Sequence, residues 1–151
     1  MSTEQEHGPY IQVAALCENV IEGKDGVLSL IRVIDRFVHT AAGPNPPERL
    51  PAFTIAPIFV VMLKAGFVRG SANIRIQPRT PSGRSLQELV LPVLFEADHR
   101  GQNLIMKLQL QVEEEGVYWF DVRFGERVLT RVPLQVVYQR LLVTGPSGTP
   151  T

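Results

Sequence analysis

The chain has 151 residues, in which 15 Lys and Arg balance 15 Asp and Glu, leaving no formal net charge. That neutrality argues against a dedicated nucleic-acid binder, which carries a basic excess. A single cysteine, Cys17, excludes an internal disulfide framework or a multi-cysteine zinc site. The longest apolar run, residues 55–63, is half the roughly 18 residues a membrane helix needs. The opening MSTEQEHG lacks the basic and apolar regions of a secretory signal, so the expectation is one cytoplasmic domain.

Helical spacing is sustained nowhere, whereas period-two alternation recurs. Residues 1–8 and 144–151 read as disordered ends around one domain at 9–143. A first strand covers 10–18, and Gly23-Lys24-Asp25-Gly26 turns the chain into a long second strand over 27–38. Prolines 44, 46, 47 and 51 make the next segment an extended surface loop. A third strand covers 53–65, with Pro57 requiring an edge or a bulge. Strands at 72–77, 86–95 and 103–112 follow, separated by PRTPSGRS and by a turn over 98–102. The closing hairpin joins 117–124 to 127–137 through Gly125-Glu126. About eight strands at this spacing predict an all-β, antiparallel Greek-key sandwich.

Side chains alternate across a strand, so parity assigns faces. Leu104, Met106, Leu108, Leu110 and Val112 oppose Lys107, Gln109 and Gln111. Tyr118, Phe120, Val122 and Phe124 oppose Asp121 and Arg123, and Val128, Val132, Leu134 and Val136 oppose Arg131 and Gln135. Each of these strands predicts one buried and one wet face. Two others do not. Phe53, Ile55, Pro57, Phe59, Val61 and Leu63 belong to the core, yet the opposite side carries Ile58, Val60 and Met62 between Thr54 and Lys64. In 27–38, Leu28, Leu30 and Ile34 share a side with Arg32 and Arg36, while Val27, Ile31, Val33 and Phe37 fill the other. A sandwich covers one face of each sheet, so the second apolar side calls for cover. A partner molecule would supply it, and so would the proline-rich segment folded across it.

No catalytic set, metal set or cofactor motif stands out. Gly23-Lys24 lacks the upstream glycine and following Ser or Thr of a phosphate loop. His7, His39 and His99 have no metal spacing, and His39 with Asp35 lacks a nucleophile elbow. Cys17 shares parity with Val13 and Ala15 and reads as a small buried side chain. Glu113, Glu114 and Glu115 read as a solvated turn. Arg75, Arg79, Arg84 and Arg100 would form an anion site if their loops met, and scattered surface arginines otherwise. Tyr118 follows a turn and a glycine, where Greek-key sandwiches place a tyrosine whose hydroxyl bonds back to the preceding corner.

Two stretches, ALCENVIEGKDGVLSLIRVIDRF and GVYWFDVRFGERVLTRVPLQVV, resemble a family of small bacterial proteins known only as a domain of unknown function. The resemblance implies an immunoglobulin-like β-sandwich and transfers no activity. Arg32 stands where a glycine is usual in those proteins, which implies a local specialisation.

The leading expectation is a non-enzymatic module that binds a protein partner or itself as a homo-oligomer. Ile58, Val60 and Met62 would make the contact, flanked by Arg32 and Arg36. A second expectation is a small-ligand or carbohydrate-binding sandwich, with segments 40–51 and 78–85 at its mouth and Trp119 stacking on the ligand. A hydrolase is a third, for which no buried acid–base pair is evident.

Overall fold

Residues 7–97 and 101–144 are described in the computed structural model. Within them the chain forms strands β1 (Tyr10–Glu22), β2 (Leu28–Ile34), β3 (Arg36–Gly43), β4 (Phe53–Ile55), β5 (Ile58–Lys64) and β6 (Gly70–Arg79). It continues through β7 (Leu89–Phe95), β8 (Gly101–Lys107), β9 (Leu110–Val112), β10 (Gly116–Phe124) and β11 (Arg127–Leu142). A first sheet has the order β2-β1-β5-β8, a second the order β3-β11-β10-β6-β7, and β4 pairs with β9 in a short ribbon. All pairings are antiparallel except β3 with β11, which is parallel. The chain visits both sheets repeatedly, as a Greek key requires.

The strand count rises from about eight to eleven because three predicted strands are broken. The run over 27–38 breaks at Asp35: Ile34 pairs with Leu16 in the first sheet and Arg36 with Gln135 in the second. The runs over 53–65 and 103–112 break opposite one another. Proline has no amide N–H to give a ladder, and at Pro57 only its carbonyl takes part, accepting from Leu108 N at 2.9 Å. Beyond that point Ile55 pairs with Leu110 and continues the ladder in which Ile58 pairs with Lys107. Pro57 therefore marks a bend in an interior ladder, since β5 lies between β1 and β8. Of the two settings expected for it, an edge or a bulge, the strand order excludes the edge. Pro92 does lie on an edge strand, because β7 pairs only with β6.

The expected turn at Asp25-Gly26 closes the β1–β2 hairpin. Gly26 adopts φ +81°, and the Asp25 carboxylate accepts from Val27 N at 3.1 Å. The core lies between the two large sheets. Leu16, Phe59, Val61 and Leu63 face Ile74, Ile76, Phe120, Val122 and Leu134, all essentially fully buried. Phe59 and Phe120 meet across the interface with ring centroids 5.7 Å apart. The apolar parity sets predicted for β8 to β11 supply this core except at Val128. The β10–β11 register shifts between Val122 and Arg123, and Leu129 rather than Val128 packs against the core.

Candidate functional site

The surface features that could carry function lie on the two outer faces of the sandwich and in a cleft at its edge. On the first sheet, strand pairing sets Ala15, Val60 and Ile105 side by side, with Val13, Met62 and Asn103 in the row above and Val33, Cys17, Ile58 and Lys107 in the row below. Asn103 and Lys107 close the rows on β8, and the other eight residues carry no charge. Val60 and Cys17 are fully buried although they point away from the main core, Ile58 and Met62 are half-buried, and Ile105 and Val33 remain 43% and 62% exposed. Burial pushes the Cys17 thiol above its ordinary 9.0, which keeps it protonated and unreactive.

The proline-rich segment docks elsewhere. Its Pro47 carbonyl accepts from the Tyr138 hydroxyl at 2.7 Å and its Pro46 carbonyl from Arg140 Nη2 at 3.1 Å, both on β11 of the second sheet. Those bonds leave it tied to the opposite layer from Met62.

Arg32 and Arg36 do not join the apolar patch. They line a cleft of about 600 Å³ at the crossing from β2 to β3, together with Glu18, Asp35, Phe37 and Pro57. Arg32 pairs with Glu18 at 2.8 Å and holds φ +56°, the only positive φ outside glycine among the described residues. A side chain in that backbone region costs about 1–2 kcal/mol. The structure thus gives a conformational reason why a glycine suits this position.

On the second sheet, pairing sets Gln77, Asp121 and Arg131 in one row and Arg79, Trp119 and Pro133 in the next. Parity predicted that Asp121 would be wet, but its side chain is 1% exposed. Three arginines cover it. Arg79 Nη2 donates to Oδ1 at 2.9 Å, Arg131 Nε lies 3.5 Å from the same oxygen, and Arg123 Nη2 lies 3.9 Å from Oδ2. Asp121 Oδ2 and the Nε atoms of Arg79 and Arg123 are buried without a hydrogen-bond partner. Trp119, 39% exposed, borders a shallow hollow with Arg79, Thr80, Pro81, Gly83 and Arg131.

The four arginines singled out in the sequence are not brought together. Arg75 pairs with Glu88 at 2.7 Å, Arg84 with Glu113 at 3.7 Å, and Arg100 lies outside the described residues, as does His99. Only Arg79 enters the cluster. Its companions Arg123 and Arg131 sit on adjacent strands, a neighbourhood that only the pairing of β6, β10 and β11 creates. Strand parity signalled that each pointed outward, but not that they met.

The acidic run holds two segments, the 80–85 loop through Glu113 and Glu114 and β11 through Glu115. Glu113 pairs with Arg84, Glu114 accepts from Ser82 N at 3.2 Å and Ser82 Oγ at 3.1 Å, and Glu115 accepts from Tyr138 N at 2.8 Å. The Ser82 bonds hold the Glu114 carboxyl below its ordinary 4.5. Tyr118 forms the expected corner, its hydroxyl donating to Glu114 O at 3.1 Å and accepting from Glu114 N at 3.2 Å. His39 stacks against Phe53 at 4.4 Å and lies 6.0 Å from the Tyr138 ring, while the His7 and Phe67 rings meet tilted, with centroids 5.7 Å apart. Among the described residues no three His, Cys, Asp or Glu side chains gather as metal ligands.

A Greek-key sandwich whose early strand joins the last in parallel, and whose tyrosine bonds back to the corner before its own strand, is an immunoglobulin-like domain. The chain belongs to a family of unknown function, DUF6941, whose profile it matches over residues 12–137. No protein among the curated sequences matches it. A solved immunoglobulin-like protein from Pseudomonas aeruginosa is similar over 87% of this chain and 98% of its own, at 12% identity and a TM-score of 0.43.

Proposed function

We propose that the protein is a non-enzymatic interaction module that docks a protein partner, or a second copy of itself, through the outer face of the first sheet. One observation carries this reading: eight uncharged residues, six of them large and apolar, form a continuous patch on the outer face of the first sheet, bounded on β8 by Asn103 and Lys107. Its centre is already sealed at Val60 and Cys17, and its rim is open at Val33 and Ile105. The apolar surface that a partner would cover is Val33, Ile105 and the open parts of Ile58 and Met62. Ile58 and Met62 fall within the patch. Arg32 and Arg36 fall in the neighbouring cleft, beside it through Val33.

The test uses Val33→Asp with Ile105→Asp. Both side chains are substantially exposed, so the fold tolerates the change. Light scattering should show association by the wild-type chain and a monomer for the variant, or the variant should lose proteins that the wild type retains. Identical mass and identical retained proteins for the two chains would defeat the reading.

A further inference from the structure

We propose that the outer face of the second sheet recognises a short acidic peptide segment, with Arg79 and Arg131 gripping a carboxylate beside Trp119. The proposal is independent of the docking patch on the first sheet.

Charge is the first argument. Asp121 is a single carboxylate beneath Arg79, Arg123 and Arg131, so two positive charges are left without a counter-charge in the cluster. Arg75, farther along the same face, is already closed by Glu88. The hydrogen bonding inside the cluster is incomplete on both sides: Asp121 accepts one bond, from Arg79, while its Oδ2 and the buried Nε atoms of Arg79 and Arg123 are unpartnered. The donors open to a ligand are on the exposed parts of the Arg79, Arg123 and Arg131 side chains. A buried carboxylate here concentrates guanidinium groups on a sheet face and anchors them from below, leaving their outer edges for a ligand.

Shape and chemistry narrow the ligand. The hollow beside Trp119 holds about 270 Å³, room for a side chain or two and below the size of most enclosed small-molecule pockets. Guanidinium forks match carboxylates in two-point geometry, and a half-exposed tryptophan between arginines is a typical anchor of protein recognition. A continuous polyanion fits less well. The chain has no net charge to draw nucleic acid, and Glu113 and Glu114 are bound to the 80–85 loop that borders the hollow. Those carboxylates repel a long polyanion and tolerate a short acidic stretch.

Trp119 is the sole tryptophan, so its emission reports on this hollow alone. Titration of the full chain with hexaglutamate at low salt should give a saturable emission change. Arg131→Ala, and independently Arg131→Gln, should weaken it by roughly tenfold or more, as loss of a charged partner does. Arg131 is 56% exposed and Arg79 still donates to Asp121 without it, so both variants should stay folded at the titration temperature with a lowered melting midpoint. Arg131→Lys, which keeps the charge over Asp121, should recover both the midpoint and part of the binding. Lys24→Ala, in the distant hairpin turn, should bind like the wild type. No saturable change, an equal loss in Lys24→Ala, or tighter binding of a hexathymidine oligonucleotide or inorganic phosphate would each overturn the proposal.

Discussion

On the outer face of the first sheet the sealed side chains are Val60 and Cys17, closed in by apolar neighbours. On the outer face of the second the sealed side chain is Asp121, closed in by three arginines. Both centres are equally dry, but the forces differ. Apolar contact has no direction and is insensitive to simple salt, so one neighbour can replace another. A carboxylate held under cations depends on position and on every partner, because an unpaired buried charge is costly. The first face therefore tolerates mutation in its centre-to-rim packing and is altered by added charge, whereas the second is altered by its removal.

The largest expected effect comes from Asp121→Asn. It leaves three arginines facing one another and should destabilise the fold by roughly 2 kcal/mol, measured by urea denaturation. That is less than the about 3–5 kcal/mol of a wholly buried pair, because the arginines are partly exposed. A loss near zero would mean the arginines simply turn to solvent, and the contrast between the faces would fail.

Next in size is the first face. Val33→Asp with Ile105→Asp should abolish association while changing stability by less than about 1 kcal/mol, as exposed substitutions do. Association by the wild type should persist at high salt. If salt dissolves it, charge rather than apolar contact holds the interface.

Arg32→Gly tests the strained edge between the faces. Relief of about 1–2 kcal/mol of backbone strain is offset by about 0.5–1 kcal/mol of added chain entropy in the unfolded state. The exposed pair with Glu18 adds little. A net gain of roughly 0.5 kcal/mol in thermal or urea unfolding is expected, and a clear loss would show that the pair outweighs the strain.

The smallest effect concerns pH. Glu114 has a lowered folded pKa, so its bonds to Ser82 contribute fully above the ordinary 4.5 and are lost as pH falls through the folded value. Amide exchange at Ser82, whose N–H donates to Glu114, should quicken at acid pH while that of the core strands holds. Unchanged Ser82 protection down to the lowest pH at which the fold survives would show that the bond does not order the loop.

Much of the architecture was legible from pattern. Period-two alternation located the strands and the core side of β8 to β11, the Asp25-Gly26 signal located a hairpin, and the glycine before Tyr118 located the corner. The doubly apolar run containing Ile58, Val60 and Met62 was visible too. Its cover was not, because the mutual shielding of Val60, Ala15 and Ile105 depends on which strands lie beside β5. Asp121 shows the same limit from the polar side. An aspartate on the outer parity of a strand is expected to be wet, and only the register against Arg79 and Arg131 makes it dry.

Composition and alternation by themselves settled that this chain forms strands, where most of them turn and which side of them is oily, since these depend on neighbours in sequence. The breaks at Asp35 and Pro57, the burial of Asp121, the docking of the proline segment on β11 and the gathering of arginines around Trp119 were decided by tertiary structure. Each depends on residues tens of positions apart, and only sheet pairing sets the distance between them.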